Sequence, residues 1–277
     1  MSRRTGRPPA GRLLVIGGAE SHSEGDDEIL QRFVDLAGGA QARLVVIATA
    51  SEDPDLRESE YAEVFKRLGA AEVAPLRLER REQANADHAV TVLERATGVF
   101  FTGGDQLRIV TVIGGSRVDS ALHARLADGI VLAGTSAGAA MMSSTMILGG
   151  REPSPSTASV RTGPGMEFLP GVLIDMHFAS RGRLNRLLSA IAMYPHELGL
   201  GIDENTAILV DGDQFEVLGA GSVTVIDAGP ATTIGTPEGG DGPVTLVGVR
   251  LHVLPAGFAF ALTDRRPVAT VDERGDL

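Results

Sequence analysis

The pentapeptide Gly134-Thr135-Ser136-Ala137-Gly138 is the first place where the residues offer chemistry. It follows the apolar run 130–133 and precedes the helix-forming run 139–142. A serine on a sharp strand-to-helix turn is lifted clear of the sheet, and its strained torsions demand small neighbours. Backbone N–H groups at the start of the helix can then hold an oxyanion. The same small residues would equally serve a phosphate-binding turn, or close packing of helix on strand.

A neutral serine is a poor nucleophile and needs an adjacent base. Of the six histidines, His177 directly follows the apolar strand 172–176. That position is the carboxyl end of a strand, where open α/β folds present their ligands. His22, in a polar loop near another strand end, is the alternative. His88, His123 and His196 fall in predicted helices or at their ends, and His252 in a late strand. A carboxylate should accept the base's second N–H. Asp175, Asp203 and Glu204 are all candidates, and the residues alone do not choose among them. Asp175 stands two positions before His177, on the same strand face by alternation, and could instead hold an arginine. Arg181, Arg183 and Arg186 lie at the start of a predicted helix, where cations oppose the helix dipole. A carboxylate-bearing substrate, or Asp175, would compensate them; a solvated helix end is the plain alternative.

The elements that must position these residues alternate strand and helix. Strands are expected at 13–16, 44–48, 71–78, 98–102, 130–133 and 172–176, with Pro75 marking an edge or an irregular end. Helices are expected at 26–36, 61–68, 86–96, 105–113, 119–127 and 183–193. Continuous apolar strands imply burial on both faces, hence a parallel sheet covered by helices. The expected fold is a doubly wound α/β domain with a mostly parallel sheet, helices on both faces and a β-rich C-terminal part. Residues 149–165, rich in Pro, Ser and Gly, read as a loop. Later strands are expected at 207–210, 214–218, 222–226, 246–253 and 257–262. No internal repeat is visible. Residues 1–12 read as a flexible basic tail, and 13–277 as one domain.

The 277 residues carry a formal net charge of −11, which disfavours a nucleic-acid partner and attracts a cationic substrate. The absence of cysteine excludes disulfides and thiolate metal sites. No signal core follows the basic N-terminus, and no run is long enough to span a bilayer, so a cytoplasmic protein without a membrane partner is expected.

Five blocks taken together carry a family resemblance. They are Gly17-Gly18-Ala19-Glu20, Phe101-Thr102-Gly103-Gly104-Asp105-Gln106, the turn at 134–140, Asp175 to Arg183 with Arg186, and Gly201 to Ala207. In this order they resemble the cyanophycinases, serine peptidases related to aspartyl dipeptidase and to the class I glutamine amidotransferase fold. The resemblance implies Ser136 as nucleophile, His177 as base and Glu204 as the residue orienting it. The N–H groups of Gly104 and Ala137 would hold the oxyanion. Gln106, Asp175, Arg181, Arg183 and Arg186 would lie in a pocket for a β-linked aspartyl-arginine unit. It further implies an exopeptidase that releases β-aspartyl-arginine from cyanophycin, works as a homodimer and requires no metal or cofactor. Met176 stands where the family often has Gln and cannot donate a hydrogen bond, so contacts there should differ. An aspartyl dipeptidase-like hydrolase and a non-catalytic binder of small anions are the rival expectations.

Overall fold

The computed structural model describes residues 10–150, 154–238 and 241–268. The first half alternates as its apolar runs require: β1 (Arg12–Ile16), α1 (Glu28–Leu36), β2 (Arg43–Ile47), α2 (Pro54–Arg67), β3 (Glu72–Pro75), α3 (Arg81–Ala84) and α4 (Asp87–Arg95). It continues through β4 (Gly98–Phe101), α5 (Gln106–Ile113), α6 (Arg117–Ala127), β5 (Val131–Thr135) and the one-turn α7 (Ala137–Ala140). Then come β6 (Thr145–Gly149), β7 (Arg161–Pro164), β8 (Val172–Met176), α8 (Leu184–Met193) and β9 (Leu198–Ile202). The remainder is all strand: β10 (Thr206–Asp211), β11 (Gln214–Gly219), β12 (Ser222–Asp227), β13 (Thr233–Gly235), β14 (Thr245–Val247), β15 (Arg250–Pro255), β16 (Ala259–Ala261) and β17 (Arg266–Val268).

A nine-stranded sheet runs β17-β16-β11-β10-β1-β5-β4-β2-β3. Its half from β1 to β3 is parallel, and β10 to β17 extend it antiparallel. This is the expected α/β fold with a β-rich C-terminal part. β1 shows why the parallel strands read as unbroken apolar runs. Leu13 and Val15 join one core, while Leu14 and Ile16 join the core on the opposite face with Phe33, Phe65 and Phe100. Pro75 ends β3 at the sheet edge, where a missing N–H breaks no ladder.

A second sheet, β15-β12-β9-β8, was not foreseen as separate. Its Leu200 and Val225 share a core with Val15 and Leu132 of the first sheet, and α8 covers its other face through Leu187 and Ile191. The strand β9 is hidden in sequence because it reads Leu-Gly-Leu-Gly-Ile. The glycines are imposed by packing: a Cβ on Gly201 would come within 2.5 Å of the Phe178 ring, and one on Gly199 within 2.9 Å of Ile191.

Other expectations are corrected locally. Residues 149–165 are not all loop, since β6 and β7 pair as a hairpin; residues 151–153 lie outside the described residues. α2 begins at Pro54, well before residue 61. Asp53 caps it by accepting the Leu56 N–H at 3.1 Å, and proline is favourable at the first helical position. Its first turns carried no apolar stripe because their buried residue is Glu58, satisfied by Arg77. The expected strand 246–253 breaks at Gly248, whose φ is +79°. Most of the basic tail lies outside the described residues, but Gly11 donates to the Leu126 carbonyl and Arg12 already belongs to β1. No described helix is long and apolar enough to cross a membrane.

Candidate active site

Ser136 sits between the end of β5 and the start of α7 with φ +52° and ψ −107°. A non-glycine residue in this region is strained and persists only when its surroundings fix it. Here its N–H donates to the Ile16 carbonyl at 3.0 Å, and its own carbonyl accepts from the N–H groups of Ala139 and Ala140. The flanking glycines are obligatory. A Cβ on Gly134 would lie 2.3 Å from the Gly138 oxygen, and one on Gly138 would lie 2.4 Å from the Phe101 oxygen.

The parallel pair β8–β9 ends beside this turn and supplies the two partners. His177 follows β8 with φ +48°, and Glu204 follows β9. Nε2 of His177 lies 2.9 Å from Ser136 Oγ, and Nδ1 lies 2.6 Å from Glu204 Oε1. Burial holds the His177 pKa below its ordinary value, with Arg181 and Arg183 adding to the effect and Glu204 opposing it. The imidazole is therefore neutral near pH 7, as a proton acceptor must be. The hydrogen bond from His177 holds Glu204 below the usual carboxylate range.

Of the three candidate carboxylates, the structure brings Glu204 against the second nitrogen of the His177 ring. Asp203 is occupied elsewhere, accepting the Ala179 N–H with one oxygen and Ser222 with the other. Strand alternation does not carry from Asp175 to His177, because β8 ends at Met176 and His177 has positive φ. Asp175 is fully buried and clamps Arg186 through Nε at 2.7 Å and through Nη2. Burial raises its pKa against the pull of Arg186 and Arg183. This carboxylate is the compensation that cations at the start of α8 require. His22 is not beside Ser136; it packs edge-on to Tyr61 with Nε2 4.0 Å from Glu20.

Ser136 and His177 open into a cleft of about 640 Å³, also lined by Gly103, Gly104, Glu20 and Asp53. The chain at Gly103 passes close, since a Cβ there would lie 3.4 Å from Ser136 Cβ. Neither the Gly104 nor the Ala137 N–H has an acceptor among the described residues. A second hollow of about 340 Å³ is lined by Ser180, Arg181, Arg183, Asn185 and Arg186. Arg181 is exposed there. Arg183 donates to the Met176 carbonyl, and burial with the nearby Arg186 lowers its pKa to about 10. Gln106 directs its amide nitrogen to the Ile147 carbonyl at 2.7 Å, so this donor is already engaged. The Met176 side chain is buried, with its sulfur 4.0 Å from Arg183 Nη1. Among the described residues no group of three or more His, Asp or Glu side chains is arranged to hold a metal.

Residues 13–218 match the model of peptidase family S51. The chain belongs to peptidase family S51. It is accordingly a serine-type peptidase. Over 275 residues it is 38% identical to a cyanophycinase of a Nostoc species, covering 98% of this chain and 92% of that protein. A cyanophycinase of Geminocystis herdmanii is also 38% identical, with coverage of 94% and 97%. Among solved structures, a peptidase from an acI-B1 actinobacterium superposes with a TM-score of 0.67 at 21% identity, covering 91% of this chain and 96% of that one. A putative peptidase E from Listeria monocytogenes gives 0.54 at 16% identity, with coverage of 76% and 98%. The two structures share the fold.

Sequence reasoning missed Tyr61 and Thr135, which both bond to the buried Glu20 behind the turn. The sequence signal was a carboxylate two residues after Gly17-Gly18, past a strand end.

Proposed function

We propose that this S51 peptidase is a serine exopeptidase that hydrolyses cyanophycin to β-aspartyl-arginine dipeptides through Ser136, His177 and Glu204. The observation that carries the reading is the unbroken line from Ser136 Oγ through the His177 ring to Glu204, with contacts of 2.9 and 2.6 Å. The name of the two curated relatives supports the substrate. Both sheets work as one hydrolytic domain, because the triad draws on each.

In the mechanism, Ser136 Oγ attacks the scissile carbonyl as its proton passes to His177 Nε2. Glu204 holds Nδ1–H and stabilises the imidazolium that forms. The negative oxygen is received by the Gly104 and Ala137 N–H groups, which have no acceptor of their own among the described residues. The imidazolium gives its proton to the leaving amine as the C–N bond breaks. Water, activated by the same histidine, then cleaves the ester and frees Ser136. Arg181 and Arg183, in the hollow past His177, attract the substrate's carboxylates. With Met176 in place of a hydrogen-bonding side chain, that recognition rests on the arginines.

The test is incubation of the enzyme with purified cyanophycin and, separately, with short α-aspartyl peptides, followed by mass analysis. Release of β-aspartyl-arginine from the polymer supports the reading. Cleavage of α-aspartyl peptides alone would make it an aspartyl dipeptidase. Failure of a fluorophosphonate probe to label the protein would favour a non-catalytic binder.

A further inference from the structure

Glu20 is a buried carboxylate that the mechanism above does not use, with a side chain only 3% exposed. Its two oxygens are each met by a hydroxyl at 2.5 Å: Tyr61 Oη on Oε1 and Thr135 Oγ1 on Oε2. Burial acts to raise its pKa, but the nearby His22 and the hydrogen bonds from Thr135 and Tyr61 outweigh it, so the group stays ionised. Hydrogen bonds to a carboxylate are shorter and about twice as strong as neutral ones. Thr135 is the last residue of β5, so its side chain is tied down one position before the strained Ser136. Tyr61 belongs to α2 and stacks against Phe65, with Phe100 at 4.5 Å, so the anchor is rigid.

The residues just before Glu20 hold the rest of the triad by backbone. Ile16 accepts the Ser136 N–H at 3.0 Å, Gly17 accepts the His177 N–H at 2.8 Å, and Gly18 accepts from Asn205, the neighbour of Glu204, at 2.9 Å. The nucleophile comes from the first sheet, and the base and its carboxylate from the second. One five-residue segment at the end of β1 therefore registers both sheets against each other at the reacting atoms.

We propose that Ile16 to Glu20 is the positioning segment of the triad, and that Glu20 is a positioning residue that sets Ser136 against His177 through Thr135. The proposal rests on Ser136 being the nucleophile. Replacing Glu20 by Gln leaves one acceptor and one donor where two hydroxyls each need an acceptor. One hydroxyl must then turn to accept from the amide N–H, its own O–H loses the carboxylate acceptor in a buried site, and the turn loosens.

The experiment uses the full chain and the variants Glu20→Gln, Thr135→Val and the double substitution. Competent sites are counted by fluorophosphonate labelling and mass spectrometry, and kcat per labelled site and KM are measured on cyanophycin. Each single substitution is expected to lower kcat per site by about tenfold, given that displacements near 1 Å cost up to ~100-fold, with KM within twofold. The double should be no worse than the poorer single, because both break one connection. Thr135→Val keeps the shape of the side chain and serves if Glu20→Gln does not fold. Kinetics per labelled site within twofold of the parent, a smaller labelled fraction with normal kcat per site, or multiplying effects in the double would each overturn the proposal. Labelling that survives Ser136→Ala would overturn the nucleophile as well, which separates that failure from this one.

Discussion

Gly18 offers the sharpest steric test of the site. It has φ +102°, and a Cβ built on it would lie 2.4 Å from His177 Cε1 and 2.5 Å from Nε2, whereas ordinary contact begins at 3.4 Å. In Gly18→Ala the imidazole must retreat by about 1 Å, a displacement that costs on the order of 100-fold in rate. The Ser136–His177 contact of 2.9 Å then leaves hydrogen-bond range. The expected loss in kcat/KM is about 100-fold, or roughly 2.7 kcal/mol of transition-state stabilisation. A second, separable cost is backbone strain of about 1–2 kcal/mol in stability. Gly212→Ala is the control, because Gly212 also has positive φ but nothing within 4 Å of its Cβ position. Hydrolysis and thermal melting are measured on both. Gly212→Ala should lose stability and keep activity, while Gly18→Ala loses both. Activity of Gly18→Ala within threefold of the parent would refute the packing argument.

Other outcomes follow from the charges. The acid limb of kcat/KM should fall below about pH 6.5, the ordinary histidine value, because burial holds His177 down. Arg181→Ala removes a cation that lowers this pKa, so the limb should move to higher pH; a shift to lower pH in the rate profile would contradict the assignment. Asp175→Ala strands the buried Arg186 guanidinium and should cost about 3–5 kcal/mol, seen as a melting temperature lower by roughly 10 °C. An unchanged melting curve would show that the pair contributes nothing.

The parallel half of the large sheet was legible because strands buried on both faces, such as Val131–Thr135, leave an apolar run bounded by glycine. The tight turn around Ser136 was legible for the same reason, since its glycines are forced by contacts that any Cβ would violate. The second sheet was not. β9 alternates leucine with glycine to admit Phe178 and Ile191, and no pattern of residue types records what lies across a contact. That Glu204, rather than Asp203 or Asp175, meets the His177 ring was closed to local sequence, because it depends on which way each side chain turns after its strand. Asp175 was rightly read as able to hold an arginine, yet its burial and its commitment to Arg186 appear only once α8 packs on β8. Glu20 was visible in a motif, but its partners lie on α2 and β5, far away in the chain.

The proposed mechanism stands on Ser136 as the nucleophile of this peptidase. Peptide mapping by mass spectrometry after fluorophosphonate treatment tests it most directly, with cyanophycin hydrolysis followed on the same samples. One adduct per chain is expected, located on Ser136, with hydrolysis lost in proportion to the adduct formed. An adduct on another residue, or full hydrolysis by a chain fully modified at Ser136, would contradict it.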